Sequence, residues 1–185
     1  MDKFLIKGPC KIKGHVSISG SKNAALPILA ATILFDKPVT LSNLPRVKDI
    51  DTMLKLLSSL GSKIEFFNNK KTIKITKKSK QNLFAPYSLV KTMRAGILVL
   101  GPLIAKHHKS ITSLPGGCLI GARPVNYHLN VLKKLGMTYE IKKGYIYAKS
   151  KGRLKGINFK FSNISVGATE NSIIAACLAK GETIL

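Results

Sequence analysis

A single thiol, Cys118, sits in the run Leu114-Pro115-Gly116-Gly117-Cys118-Leu119-Ile120-Gly121-Ala122-Arg123-Pro124, five residues ahead of Arg123. Glycine-rich loops let a backbone approach a ligand closely. A thiol beside cationic charge can be tuned as an acid or a nucleophile, and a guanidinium fork suits phosphate or carboxylate. Spacing alone leaves two readings open: thiol chemistry on an anionic small molecule, or a tight turn around an inert cysteine. Two more cationic groups stand at expected helix starts. Lys22 and Asn23 follow Ser19-Gly20-Ser21, where free N–H groups and the helix dipole favour an anion; an ordinary N-cap with a surface lysine also fits. Arg94 opens an apolar stretch, where it must be paired or solvated; a structural ion pair is its plain alternative.

The elements that must carry these residues repeat. Ile50, Met53, Leu54, Leu57, Leu60 and Gly61 recur as Val125, His128, Leu129, Leu132, Leu135 and Gly136, an offset of 75 positions. The spacing predicts two amphipathic helices, each ended by a glycine. Each is followed by a hairpin pattern: Lys63–Phe67 with Thr72–Ile75 around Asn68-Asn69, and Thr138–Ile141 with Tyr145–Lys149 around Gly144. Ahead of them, Ala24–Leu34 and Ala95–Ala105 are apolar almost all round, as is Ser172–Ala179 further on, which predicts helices buried on every side. Short strands are expected after each, at Val39–Leu41, Ile111–Ser113 and Thr183–Leu185. The fold class is therefore α/β, with helices inside and sheets outside. His128 takes the place of Met53 on the amphipathic face and reads as a core or rim histidine without a catalytic role, whereas His107 and His108 read as an exposed turn.

Bulk properties bound the function. A chain of 185 residues, 45% hydrophobic, holds one domain or one and a part and can bury a real core. Met1-Asp2-Lys3 runs into a strand-like segment rather than a secretory leader, and no apolar run reaches the ~18 residues of a membrane helix. Three cysteines, Cys10, Cys118 and Cys177, form no metal-type pair, so a reduced cytoplasmic setting is expected, without metal or other cofactor. Cys10 and Cys177 read as structural, Cys177 as an inert thiol in a buried helix. The net charge of +23 raises a rival, a basic non-catalytic protein binding nucleic acid. The densest run, Lys70–Lys78, alternates like a strand with a solvated face, and aromatics are 6%, so nucleic acid is a poor fit. The field still favours collecting anionic metabolites.

The cysteine loop resembles that of the bacterial UDP-N-acetylglucosamine 1-carboxyvinyltransferase family, enolpyruvyl transferases of peptidoglycan synthesis. So do Met1–Phe4, Ser19–Pro27, Ala85-Pro86-Tyr87, Val90–Ala95 and Ser165-Val166-Gly167-Ala168-Thr169-Glu170-Asn171, in order along the chain. The resemblance implies an inside-out α/β prism of repeated units, about 19–90, 91–160 and an incomplete 161–185, with residues 1–18 a strand region belonging to a second domain. It implies an amino-terminal part of such an enzyme, inactive alone, with exposed apolar surface, and with a base carboxylate and further phosphate-binding arginines supplied by another domain or chain. The implied substrates are phosphoenolpyruvate and UDP-N-acetylglucosamine. By resemblance Cys118 donates a proton to phosphoenolpyruvate; Lys22, Asn23 and Arg123 bind it; Arg94, Arg123, Pro124, Val125, Asn126, Tyr127, Ser165, Val166 and Gly167 contact the UDP-sugar. Asn126 and Asn163 depart from the aspartate and lysine expected there.

Overall fold

A computed structural model describes residues 3–69, 71–116 and 125–185. The first unit opens with α1 (Lys22–Ala31), which Ser21 caps by accepting a hydrogen bond from the Ala24 N–H at 3.4 Å. A 3₁₀ turn, Thr32–Leu34, and strand β1 (Val39–Leu41) follow, then α2 (Lys48–Ser59). Its periodic face, Ile50, Met53, Leu54, Leu56 and Leu57, is buried. Gly61 ends the helix at φ 104°, where a Cβ would lie 2.8 Å from the Lys80 carbonyl oxygen, so only glycine fits. The expected hairpin is β2 (Ser62–Phe67) and β3 (Thr72–Lys77), and the sheet runs β1-β3-β2, antiparallel throughout. Ile73 and Ile75 face the helices.

The second unit begins at β4 (Phe84–Ala85) and α3 (Tyr87–Val90). Its apolar helix starts as a 3₁₀ turn, Arg94–Val99, and becomes α4 (Leu100–His107). Strand β5 (Lys109–Ser113), α5 (Asn126–Lys134), β6 (Met137–Lys142) and β7 (Tyr145–Ser150) complete it, with sheet order β4-β5-β7-β6. Lys143 and Gly144, both at positive φ, turn the second hairpin. The last helix, α6 (Val166–Ala176), starts earlier than its apolar run suggests, because Ser165 supplies an N-cap.

Two apolar clusters form the core. One joins Leu29, Met53, Leu57 and Ile73; the other joins Leu100, Ile104, Leu132 and Ile146. Helix α6 enters both, Ile174 in the first and Ala175 in the second, and it packs on α1, α4 and α5. The three apolar helices thus touch one another, and each hairpin lays one face on them.

Residues 3–18, expected to belong with a second domain, form no strand among the described residues: Phe4, Leu5, Ile6, Ile12, Val16 and Ile18 are all exposed, Phe4 at 99%. A strand needs a ladder partner, and among the described residues this segment has none. The expected strand Thr183–Leu185 reduces to a single parallel bridge, Asn158 to Ile184, with the Ile184 N–H donating to the Ile157 carbonyl and its own carbonyl accepting from the Phe159 N–H. Cys177 is exposed rather than buried; it lies just past the last turn of α6, and its Sγ donates to the Ile173 carbonyl at 3.3 Å. Apolar side chains on α1 and α6, Ile28, Val166 and Ile173, also face outward.

Candidate functional site

Helix starts converge on one cleft. It has a volume of about 700 Å³ and is lined by residues at the starts of α1, the 3₁₀ turn, α5 and α6. From α1 come Asn23, Leu26 and Pro27. Pro27 has no N–H to return to the Asn23 carbonyl, one turn back, so that oxygen is left without its helical partner. Arg94, Ala95, Ile97 and Leu98 line the second side, and Val125, Tyr127 and His128 the third. The loop ahead of α6 and its first turns close the fourth with Asn163, Ile164, Ser165, Val166, Gly167 and Glu170. Positive dipole ends and free N–H groups favour an anion here, and the aliphatic side chains offer a dry surface for the rest of a ligand.

Of the residues named from sequence, Asn23, Arg94, Val125, Tyr127, Ser165, Val166 and Gly167 all border this cleft. Lys22 and Asn126 do not. The Lys22 ammonium pairs with Asp49 at 3.0 Å, across from α1 to the first turn of α2, and Asn126 is exposed on the outer side of α5. Cys118, Arg123 and Pro124 lie outside the described residues; Pro115, at the near end of their loop, borders the cleft.

Local bonding shapes the walls. Ser165 caps α6 by accepting from the Ala168 N–H, and its carbonyl accepts from the Thr169 hydroxyl at 3.0 Å. Asn163 Nδ2 donates to the Tyr127 hydroxyl oxygen at 2.8 Å, tying the α6 approach to α5. Burial and the nearby Arg94 guanidinium pull His128 down from its ordinary 6.5 to about 4, so the ring is neutral at physiological pH. Burial pushes the Glu170 carboxyl up.

Sequence reasoning missed one set of residues. Asn171 is fully buried in α6, beside the equally buried Ser172. Its Oδ1 accepts from the Gly101 N–H at 2.9 Å, and its Nδ2 donates to the Ile97 carbonyl at 3.3 Å and to His128 Nδ1 at 3.1 Å. A Cβ on Gly101 would fall 2.2 Å from that Oδ1, so the glycine admits the amide. The sequence gives little warning of this network: Asn171 stands between Glu170 and Ser172, just ahead of the run Ser172–Ala179 read as apolar. Among the described residues no group of His, Cys, Asp and Glu could hold a metal, and no helix is long and apolar enough to cross a membrane.

The model of the EPSP synthase family (3-phosphoshikimate 1-carboxyvinyltransferase) matches residues 6–185. The UDP-N-acetylglucosamine 1-carboxyvinyltransferase of Pelagibacter ubique is 60% identical over the whole chain, and that of Acinetobacter baylyi 52%. In both cases the chain spans 44% of the relative's length. Among solved structures, the enolpyruvyl transferase NikO from Streptomyces tendae superposes with a TM-score of 0.77 at 17% identity, covering 92% of this chain and 40% of that one. EPSP synthase from Acinetobacter baumannii gives 0.69 at 19%, covering 92% and 39%. At such identities the structural likeness speaks for the fold.

Proposed function

Because the chain belongs to the EPSP synthase family of carboxyvinyl transferases, we propose that it serves the transfer of an enolpyruvyl group from phosphoenolpyruvate to the 3-hydroxyl of UDP-N-acetylglucosamine, in peptidoglycan synthesis in the cytoplasm. The 3-oxygen bonds to C2 of phosphoenolpyruvate while C3 takes a proton. Loss of phosphate and of a C3 proton then restores the double bond. On this reading Cys118 is the acid at C3, a role open to a thiol whose ordinary pKa is about 8.5. Lys22, Asn23 and Arg123 hold phosphoenolpyruvate; Arg94, Arg123, Pro124, Val125, Asn126, Tyr127, Ser165, Val166 and Gly167 hold the UDP-sugar. Lys22 must leave Asp49 or carry it along, since their exposed pairing is worth at most ~1 kcal/mol.

The observation that carries this reading is the convergence of Asn23, Arg94, Tyr127 and the α6 start on one cleft. We extend it to the architecture. The three mutually packed apolar helices form the interior of an inside-out prism, and the exposed segment 3–18 pairs with a second domain. The chain spans 44% of its relatives' length, and we assign the base carboxylate and further phosphate-binding arginines to the part it does not match. Substrate binding, rather than turnover, is therefore the activity expected of these residues alone.

The test combines calorimetry with labelling. UDP-N-acetylglucosamine is expected to bind and to be displaced by UDP, and fosfomycin is expected to alkylate Cys118 and spare Cys10 and Cys177, as read by mass spectrometry. Adducts on Cys10 or Cys177 with Cys118 unlabelled, or no UDP-sugar binding, would overturn the assignment.

A further inference from the structure

The hydrogen bonds around Asn171 determine where the proton on His128 sits. The Gly101 N–H can only donate and the Ile97 carbonyl can only accept. Bonded to both, the Asn171 amide has one orientation: Oδ1 toward Gly101, Nδ2 toward Ile97. The second Nδ2 hydrogen is then the one that meets His128 Nδ1 at 3.1 Å. Nδ1 must accept, so the neutral ring carries its hydrogen on Nε2. The ring's other edge, Cε1 and Nε2, faces Gly167, where a Cβ would stand 3.5 Å from Cε1 and 3.6 Å from Nε2. Both His128 and Gly167 border the cleft.

We infer that His128 is a ligand-positioning residue whose Nε2–H, aimed into the cleft by Asn171, donates a hydrogen bond to an uncharged carbonyl of the bound UDP-sugar. This rests on the function proposed above and adds a contact to it. The choice of a carbonyl follows from the surroundings. The ring is only 8% exposed and sits beside Arg94, so it resists becoming a cation. On the proposed function Arg94 and the helix starts take the anionic oxygens, and Glu170 is the other charged group on the same walls. A neutral, fixed donor adds direction without charge, which suits a carbonyl acceptor.

The experiment uses the full chain labelled with ¹⁵N. Long-range ¹H–¹⁵N correlations report the tautomer of each histidine, and the His128 signals are those missing from His128→Gln. We expect a pyridine-type Nδ1 and a pyrrole-type Nε2 in the free protein, and a shifted but still protonated Nε2 on a neutral ring after UDP-N-acetylglucosamine is added. By calorimetry, His128→Phe should bind the UDP-sugar about tenfold more weakly, the value of one lost hydrogen bond. His128→Gln, whose amide nitrogen can occupy the place of Nε2, should recover most of that loss. A hydrogen on Nδ1, a ring that becomes a cation when ligand binds, or a Phe variant that binds as well as the parent each overturns the inference alone. Absence of binding by the parent overturns it together with the proposed function. Should the Phe variant fail to fold, the tautomer in the parent and the affinity of the Gln variant still decide the matter.

Discussion

Acid should destabilise this fold through one histidine. His128 falls from its ordinary 6.5 to about 4, because the ring is buried beside the Arg94 guanidinium. In the unfolded chain the same ring takes its proton near 6.5. Between these two values the unfolded state binds more protons than the folded one, so stability drops as pH falls through that window and is fully present above it. At about 1.4 kcal/mol per pH unit the loss approaches ~3 kcal/mol by pH 4. That is a large part of the 5–15 kcal/mol typical of a domain, about a fifth or more. Urea unfolding followed by circular dichroism, at intervals from neutral pH to about pH 4, measures it. His107 is also lowered by burial and works in the same direction, whereas Glu170 is raised and works in the opposite one. Asp36, held at about 2 by Lys106 and Lys77, titrates below the window. Comparison with His128→Phe isolates the ring. The variant starts lower, since Asn171 loses an acceptor, but its stability should fall by ~3 kcal/mol less over the same range. Parallel losses in parent and variant would refute both the burial argument and the neutral ring on which the positioning role depends.

Further outcomes follow from other contacts. Gly101→Ala places a methyl group 2.2 Å from Asn171 Oδ1 and 2.7 Å from the Asn171 carbonyl oxygen, so α4 and α6 must part and strand buried polar groups; a loss of ~2–4 kcal/mol in urea unfolding is expected, and an unchanged midpoint would contradict this close approach. Asp49→Asn should change stability by less than ~1 kcal/mol, because the Lys22–Asp49 pair is exposed, while altering the affinity for phosphoenolpyruvate through the freed ammonium. Deleting residues 3–18 should leave the unfolding midpoint unchanged and lower self-association measured by light scattering, since the segment's apolar side chains are uncovered. Cys177 should react with iodoacetamide in the folded protein; protection until unfolding would contradict its exposed position after α6.

Sequence by itself determined the local elements and their order. The 3.6-residue spacing of Ile50, Met53, Leu54 and Leu57, and of its later copy, is satisfied within a few turns, so it can be read without knowing what lies opposite. The same holds for Gly61 and Gly136, both at positive φ where each helix ends, and for the two hairpins. Motifs in order along the chain carried the family; of the site residues named with it, Asn23, Arg94, Val125, Tyr127, Ser165, Val166 and Gly167 border one cleft, and Lys22 and Asn126 do not.

Only the tertiary structure decided what those elements do to one another. Asn171 meets Gly101 and His128 across separations of 70 and 43 positions, contacts that exist because α6 packs between α4 and α5. No spacing rule reaches so far: periodicity tells which side of a helix is apolar, not which neighbour that side will find. For the same reason residues 3–18, strand-like in pattern, find no ladder partner among the described residues, since a strand is completed by its partner's backbone and not by its own side chains. The proton on His128 is the clearest case. Its residue type was plain from the start, but its charge and tautomer were set by an amide, a glycine and a guanidinium brought to it by folding.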